Sequence, residues 1–520
     1  MNLPITPTTN KRTALVVISM VSSLVMLDSN VVAVALPTIA RSLHADFADV
    51  QWVITAYVLP FAALLLAAGS FSDKIGRRFS AVLGMSIFGL ASLACGLAVS
   101  PLMLNISRAV QGVGASLVMT ASLALINHMF QGGERAKAFA FWGASLGIAI
   151  TCGPIIGGVI ASVFGWTWAF LINVPICAVL ILATLKVAPE SRDPDATGLD
   201  YTGIATFSTG LFLLTWAVID GNASGWLSAA VLARFIGGLT LLAAFVIVEK
   251  RQARPMVDLE IFRSLNFIGT AFATVGYATG AQIMIFYLPL YLQDSFGLAP
   301  VTAGLSMLPF ALPMFLVPRL VAKLTWAPRT ILGAGLSITI VANVALAMLA
   351  HWNGSYNEFA GAMLIAGIGA GILNGDSAKA MQSAMPANRS GMGSGVGATI
   401  RFTSLLFGVA GLGAILVAAT AKHFLLVADK FGIAPADAVT LAKRFAAGDA
   451  SAGLHTLSPA IREGVAESLR HAFQFGFGVV ALTAAGCAIV SLIVMTSLMS
   501  PVEKRDAGGS VDEALFVAGE

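Results

Sequence analysis

The sequence predicts an all-α integral membrane protein, and three observations support this fold class. Hydrophobic residues make up 57% of the 520 residues and charged residues only 11%, whereas soluble domains carry about 25% charged residues. Apolar stretches of about 20 residues, the length that crosses a bilayer core, recur along the whole chain. The net charge is +4, and the positive residues lie in short loops rather than in a basic stripe. This pattern argues against a nucleic-acid partner, and the composition indicates that the lipid bilayer is a partner.

Fourteen apolar stretches qualify as membrane-spanning helices, with weak boundaries at 200–250 and 381–396. The first is predicted to be retained rather than cleaved as a signal peptide, because it is too long and Asp28 interrupts it. The approximate extents are 13–36, 51–71, 79–99, 102–125, 139–163, 167–187, 200–219, 230–248, 266–290, 301–321, 329–349, 359–381, 396–419 and 473–499.

Loop charges orient the predicted helices. Lys and Arg gather in alternate loops, and the positive-inside rule places those loops in the cytoplasm. Both termini are then cytoplasmic, which agrees with an even number of helices, and the protein is predicted to lie in the cell (inner) membrane. The orienting residues include Lys74, Arg77, Arg78, Arg135, Lys137, Lys250, Arg251, Arg319, Lys323 and Arg329.

The two halves of the chain echo each other, as they do in many transporters. Three pairs of segments recur in the same order: Leu36-Pro37 with Leu288-Pro289, Leu59-Pro60-Phe61-Ala62 with Leu308-Pro309-Phe310-Ala311, and Gly112-Val113-Gly114-Ala115 with Gly367-Ile368-Gly369-Ala370. The predicted organisation is a six-helix bundle at 1–190, two extra helices with linkers at 191–262, a second six-helix bundle at 263–500 that contains an extracytoplasmic loop at 421–472, and a cytoplasmic tail at 501–520.

Asp28 is the first candidate site residue, because an acid in an apolar span is expensive and usually faces a partner or a water-filled path. Arg108 is the second buried charge, and counting residues from the outer ends of the first and fourth spans places both at a similar depth. We therefore expect the two to pair. The pair either takes part in proton coupling or is a static pair that only neutralises itself.

The second half carries Asp376, Lys379 and Arg401 near the predicted cytoplasmic side. Asp376 is interpreted either as a second proton or cation site or as a structural partner of Lys379, one helical turn away. Polar and aromatic residues that are tentative candidates for a substrate cavity are Asn30, Gln111, Gln282, Met284, Phe286, Tyr287 and Asn374, although plain packing is an alternative for each.

The loop between the second and third spans carries a recognisable pattern, Gly69-Ser70-Phe71-Ser72-Asp73-Lys74-Ile75-Gly76-Arg77-Arg78. Its Gly, Asp, Gly, Arg and Arg resemble the signature of the major facilitator superfamily at this place. The resemblance implies two six-helix bundles and a gating loop, made of Gly69, Asp73, Gly76, Arg77 and Arg78, that latches the two halves. A solvated turn of positive-inside charges explains the same residues.

Glycines in the fifth span resemble the antiporter motif of drug exporters in this superfamily. The residues are Gly143, Gly147, Gly153, Pro154, Gly157 and Gly158. Spaced glycines also permit ordinary close helix packing. The stretch from Leu27 to Pro37, and Trp168 to Pro175, are similar to signatures of the fourteen-helix drug:H+ antiporters of the EmrB/QacA type, with Asn30 where Thr is usual.

These observations predict a proton-coupled multidrug efflux antiporter that exports cationic or lipophilic compounds by alternating access. The alternatives are a specific exporter of one amphiphilic metabolite, antibiotic or siderophore, and a non-transporting membrane sensor or structural protein. The sequence has no phosphate-binding loop, metal-ligand spacing or nucleophile elbow. We therefore expect no cofactor, metal or enzymatic activity. Protons and a drug-like molecule are the expected ligands, with a periplasmic adaptor as a further partner in a double-membrane bacterium.

Overall fold

The computed structural model describes residues 11–45, 47–192, 200–252, 257, 259–324, 326–384, 390–448, 454 and 457–500. In this part of the chain, fourteen helices are long and apolar enough to cross a membrane, which confirms the predicted number. The tail at 501–520 lies outside the described residues. Spans 1 to 14 are Lys11–Leu43, Phe47–Ile75, Arg77–Gly96, Pro101–Met129, Gly132–Val163, Trp168–Val187, Tyr201–Ser224, Ala229–Arg251, Leu265–Asp294, Pro300–Val321, Pro328–His351, Tyr356–Ser383, Ser390–Ala428 and Pro459–Leu498.

Three spans are broken into shorter helices. Span 6 consists of Trp168–Leu171 and Asn173–Val187, and span 10 of Pro300–Ser306 and Leu308–Val321. Span 9 changes from an α-helix at Leu265–Gly276 to a π-helix at Tyr277–Gln282 and back to an α-helix at Met284–Asp294. A π-helical turn re-aims the side chains around it and often lies at a functional site. The described part of the chain also contains 3₁₀ helices at Leu259–Arg263 and Asp429–Phe431.

Two prolines that were expected to end their spans lie inside helices instead. Span 1 continues past Pro37 to Leu43, and the last helix of span 9 continues past Pro289 to Asp294. A membrane helix tolerates proline because neighbouring helices satisfy the backbone groups that the ring leaves unpaired. The two prolines therefore belong to the repeat as interior positions, and the predicted ends at 36 and 290 were too early.

The predicted extracytoplasmic segment at 421–472 is helical at both ends. Span 13 continues to Ala428, and span 14 begins at Pro459, with Ser458 at the N-cap. Pro459 at the first turn suits this start because its missing N–H has no partner there. Between them, the amphipathic helix Pro435–Ala446 packs its apolar face on spans 13 and 14.

Helix packing confirms the internal repeat. In the first half, a methyl group at Gly112 would collide with the backbone oxygen of Tyr57 in span 2; in the second, a methyl at Gly367 would collide with that of Phe310 in span 10. Both glycines come from the repeated segments found in the sequence. Only glycine permits an approach this close, so equivalent helices pack by the same device in both bundles.

The two bundles meet along spans 1, 2 and 5 on one side and spans 9, 10 and 13 on the other. The extra spans 7 and 8 pack on each other, and span 7 lies against spans 2 and 13. An ion pair between Asp220 and Arg234 joins the two extra spans, and the guanidinium of Arg234 stacks 4.0 Å from the ring centre of Trp216. The extra pair therefore flanks one seam between the bundles.

Candidate functional site

A buried carboxylate in the first bundle is bound by three side chains. The Asp28 side chain has 0% exposure and that of Arg108 has 1%. Arg108 Nη1 lies 2.6 Å from Asp28 Oδ2, and Asp28 Oδ1 accepts hydrogen bonds from Gln111 Nε2 (3.0 Å) and Asn173 Nδ2 (2.7 Å). Ser92 Oγ accepts from both amides at 2.7 and 3.3 Å. Spans 1, 3, 4 and 6 thus build one site.

The predicted pairing of Asp28 with Arg108 is confirmed, and Arg108 has further partners. Its Nη1 donates to Gln111 Oε1 at 2.5 Å and its Nε to the Val53 carbonyl at 3.0 Å. Its guanidinium carbon lies 4.1 Å from the ring centre of Tyr57. A buried ion pair with its hydrogen bonds satisfied persists, whereas removal of one partner leaves a charge stranded and costs about 3–5 kcal/mol.

Two side-chain amides form hydrogen bonds between the bundles toward the predicted outer side. Gln51 Nε2, near the start of span 2, donates to the carbonyls of Val409 and Ala410 at 3.0 and 3.1 Å. Gln293 Nε2, near the end of span 9, donates to the Val34 carbonyl at 3.1 Å. These hydrogen bonds join the two bundles at the predicted outer side.

A narrow cavity lies between the bundles near mid-membrane. Its room for water-sized molecules is about 30 Å³, enough for one or two waters and too small for a drug. Phe61 and Phe402 contact each other edge to face in its wall, with ring centres 4.5 Å apart. The lining residues are Met26, Ser29, Asn30, Tyr57, Val58, Phe61, Ile150, Gln282, Ile285, Phe286, Phe402 and Leu405.

Three of the seven tentative cavity residues line this cavity: Asn30, Gln282 and Phe286. The other four have different surroundings, since the rotation of a helix cannot be read from hydropathy. Gln111 is fully buried and binds Asp28. Met284 is buried, the Tyr287 hydroxyl donates to the Val409 carbonyl at 2.9 Å, and Asn374 Oδ1 accepts from the Tyr277 hydroxyl at 2.9 Å. Gln111 is therefore reassigned to the carboxylate site.

The second bundle has a guanidinium in a different setting. Arg401 is half-buried; its Nε donates to Gln282 Oε1 at 2.8 Å and its Nη2 to the Tyr277 hydroxyl at 3.1 Å. On span 12, Asp376 Oδ1 lies 3.6 Å from Lys379 Nζ, and the Lys379 side chain is 49% exposed. The pairing of Asp376 with Lys379 is thus present, while a proton role for Asp376 stays a prediction.

The loop after span 2 contacts its own bundle. Asp73 Oδ1 accepts from Arg77 Nε and Nη2 at 2.9 and 2.8 Å. Gly76 has φ 134°, which only glycine adopts readily. Glu190, after span 6, accepts from the backbone N–H groups of Arg78 and Phe79 at 3.0 and 3.1 Å. Sequence reasoning missed Glu190, although an acid among positive-inside charges is a signal. The gating role of the loop stays a prediction.

The glycines of span 5 form close contacts with both bundles. A methyl group at Gly153 would collide with Asn30, and one at Gly157 would lie 2.7 Å from the Val31 carbonyl oxygen in span 1. Gly158 abuts Pro300, and Gly304 of span 10 abuts Pro154. Among the described residues, a methyl group at Gly147 would meet only Phe315, at 3.7 Å, and one at Gly143 would meet no atom within 4 Å. The motif therefore divides into an outer, tightly packed part and an inner, open part.

Comparison with known families agrees with this architecture. Residues 18–409 match the model of the Major Facilitator Superfamily. The chain belongs to this superfamily. It is a multi-pass membrane protein of a transporter family, and its fourteen spans agree with the resemblance to the fourteen-helix branch.

Relatives of similar length give more detail. The multidrug resistance protein Stp of Mycobacterium tuberculosis is 32% identical over 404 residues, which are 76% of this chain and 74% of Stp. The multidrug efflux pump LfrA of Mycolicibacterium smegmatis is 31% identical over 485 residues, 93% of this chain and 95% of LfrA. The methylenomycin A resistance protein of Streptomyces coelicolor is 34% identical over 400 residues, 75% of this chain and 82% of that protein.

Solved structures match the fold at low identity. A bacterial homologue of the human lysosomal transporter Spinster aligns with a TM-score of 0.61 and 17% identity, covering 96% of this chain and 100% of that one. A peptide transporter in complex with sulfate aligns with the same TM-score and 14% identity, covering 94% and 95%. These matches support the two-bundle architecture of this transporter.

Proposed function

We propose that this transporter is a proton-coupled multidrug efflux antiporter that works by alternating access. The observation that carries the proposal is the enclosed Asp28 carboxylate, held by Arg108, Gln111 and Asn173 beside a cavity between the bundles. Relatives named as multidrug resistance and efflux proteins support drug-like substrates. The aromatic lining of the cavity supports the lipophilic part of the predicted substrate range.

Tyr57 links the carboxylate site to the cavity. Its ring stacks on Arg108 on one side and lines the cavity on the other, and its hydroxyl donates to the Val25 carbonyl at 3.3 Å. A drug in the cavity therefore presses on Tyr57 and span 1 rather than on Asp28 itself. In this proposal, drug and proton exclude each other through that contact.

Protonation of Asp28 removes the negative charge that Arg108 faces. The guanidinium keeps the Gln111 and Val53 oxygens as acceptors, so the protonated state needs no new partner. The bundle then carries an uncompensated positive charge in a low-dielectric site, which favours rearrangement. Proton entry from the outside would discharge the drug there and reset the transporter.

The decisive experiment reconstitutes the purified protein in liposomes and follows drug-dependent proton release with a pH-sensitive dye. We expect Asp28→Asn to abolish proton release and pH-gradient-driven efflux while the protein stays folded, because the amide cannot take up a proton. Full proton-coupled efflux by this variant would remove Asp28 from the mechanism. No drug-dependent proton release by the unmodified protein would favour a membrane sensor or structural protein.

Asp376→Asn is the matched acid-to-amide variant in the other bundle. If Asp376 is a second proton site, the number of protons released per drug falls; if it only pairs with Lys379, the number is unchanged. A panel of unrelated drugs in the same assay separates a broad exporter from one dedicated to a single amphiphile.

A further inference from the structure

A cationic side chain lies next to the cavity, and the described lining of the cavity contains no acidic residue. Its described lining residues are all uncharged. Arg401 reaches this wall through its hydrogen bond to Gln282, and its guanidinium carbon lies 4.8 and 5.7 Å from the ring centres of Tyr277 and Phe402. Phe402 is itself part of the lining. Arg401 is thus one hydrogen bond away from whatever occupies the cavity.

Arg401 differs from Arg108 and Arg234 in its partners. Arg108 and Arg234 each form an ion pair, with Asp28 and Asp220. Among the described residues, Arg401 has no carboxylate within salt-bridge distance, and its side chain donates hydrogen bonds to two neutral oxygens. A guanidinium has five N–H donors in a planar fork that suits a carboxylate or another anionic oxygen. Its charge is therefore available to a ligand.

Asp28 is unsuited to meet a cation in this structure. Both of its oxygens already accept hydrogen bonds, and Tyr57 stands between Arg108 and the cavity. A cation entering the cavity would meet no carboxylate there, and Arg401 would repel it. An anionic group would be attracted instead. The electrostatics of the described lining favour an acid over a base.

Gln282 completes the polar side of this subsite. Its oxygen is engaged by Arg401, which directs its NH₂ group to act as a donor. The π-helix at Tyr277–Gln282 brings Gln282 and Tyr277 to the same guanidinium. Phe61, Phe286 and Phe402 also line the cavity and offer aromatic surface. The cavity therefore combines anion-binding donors with aromatic walls.

We infer that the preferred substrates are flat aromatic compounds that carry an acidic oxygen, such as a carboxylate or phenolate. The acidic oxygen binds Arg401 and Gln282, and the ring system packs against the three phenylalanines once the bundles have opened. This inference rests on the proposed export function and narrows its substrate class. It makes Arg401 a specificity-determining residue on the predicted cytoplasmic side of the cavity.

Two dyes test the inference, because fluorescein and rhodamine 123 share a fused three-ring scaffold and carry opposite charges near neutral pH. Binding is measured by fluorescence anisotropy on the purified full-length protein in detergent. We expect the unmodified protein to bind fluorescein about tenfold more tightly than rhodamine 123, since a charge-assisted hydrogen bond accounts for a difference of that size. Arg401→Met should remove this preference by weakening fluorescein binding, while rhodamine 123 binding stays unchanged or tightens because the repulsion by Arg401 is gone.

Two further variants keep the test clear. Arg401→Lys retains the charge and should keep a measurable preference for fluorescein, while Arg251→Met removes an exposed charge at the end of span 8 and should leave both affinities unchanged. The inference would be overturned if the unmodified protein bound rhodamine 123 more tightly than fluorescein, or did not bind fluorescein at all. An equal change in both affinities in Arg401→Met would also overturn it. Because this assay uses no proton gradient, its failure is distinguishable from a failure of the proton-release experiment.

Discussion

The two bundles share a packing scheme but hold their charges differently. In the first, Arg108 faces Asp28 inside a closed network of amides and a serine. In the second, Arg401 bonds to a glutamine and a tyrosine, half-exposed and beside the cavity. The glycine contacts that bring helices together are equivalent in the two bundles. The helix packing is therefore equivalent in the two bundles, whereas the partners of Arg108 and Arg401 differ.

This difference suggests a division of tasks between the bundles. A closed network with one carboxylate suits a proton, which needs no space and changes only the charge. An open guanidinium beside a cavity suits a substrate, which needs both space and a donor. In the proposed mechanism the two meet at Tyr57 and Phe61 on span 2, which line the cavity from the first bundle.

The largest expected effect comes from removing each arginine in turn. Arg108→Met strands the buried Asp28 charge and should lower the free energy of unfolding by about 3–5 kcal/mol. Arg401→Met strands no carboxylate among the described residues, and the loss of two hydrogen bonds to neutral partners should cost about 1–2 kcal/mol. Thermal unfolding in detergent compares the two variants.

Equal losses of unfolding free energy in Arg108→Met and Arg401→Met would contradict the difference between the bundles. Arg401 would then also have a charged partner. The double variant Asp28→Asn with Arg108→Met provides the control. It removes both charges together and should recover much of the stability lost in Arg108→Met alone.

A smaller effect is expected from the repeated glycines. Gly112→Ala and Gly367→Ala each press a methyl group onto a backbone oxygen that cannot move aside, of Tyr57 and Phe310. Overpacking of this kind costs about 1–3 kcal/mol, and the two losses should be similar if the scaffold is symmetric. Gly361→Ala, on the same helix as Gly367 with no atom within 4 Å, is the matched control and should be neutral or slightly stabilising. Clearly unequal losses would show that the repeat does not extend to packing energies.

The fold was predictable because many apolar residues contribute to the hydropathy of each span. Hydropathy summed over about 20 residues identifies each span. Asp28 and Arg108 are charges inside apolar spans at a similar predicted depth, which predicts that they pair. The ends of the spans were less predictable. Pro37 and Pro289 resemble helix stops, although their helices continue to Leu43 and Asp294.

The site was only partly predictable because neutral polar residues carry little energetic signal. Gln111 lies one turn after Arg108, and this spacing places both on the same face of span 4, yet Asn173 and Ser92 come from other helices whose rotation the sequence does not reveal. In the second bundle, the π-helical turn at Tyr277–Gln282 shifts the register of the side chains. Arg401 and Gln282 therefore meet where α-helical periodicity would not bring them.

The smallest expected effect concerns a charge at the membrane surface, outside both networks. Glu190 is 30% exposed, accepts from two backbone N–H groups at the start of span 3 and lies 3.7 Å from Arg78 Nε. Glu190→Gln keeps one acceptor oxygen but loses the charge that favours a helix N-terminus. It should cost about 0.3–1 kcal/mol, and less at high salt, since exposed pairs are screened.

Glu134→Gln is the matched control for Glu190→Gln, because Glu134 is 71% exposed, lies 4.0 Å from Lys11 and should have no measurable effect. Thermal unfolding at low and high salt distinguishes the two variants. A salt-independent loss as large as that of Arg108→Met would contradict the distinction between surface and buried charges. It would mean that Glu190 anchors the loop of Asp73 and Arg77 as firmly as Arg108 holds Asp28, so the superfamily loop would be a fixed brace of the first bundle rather than a latch that opens.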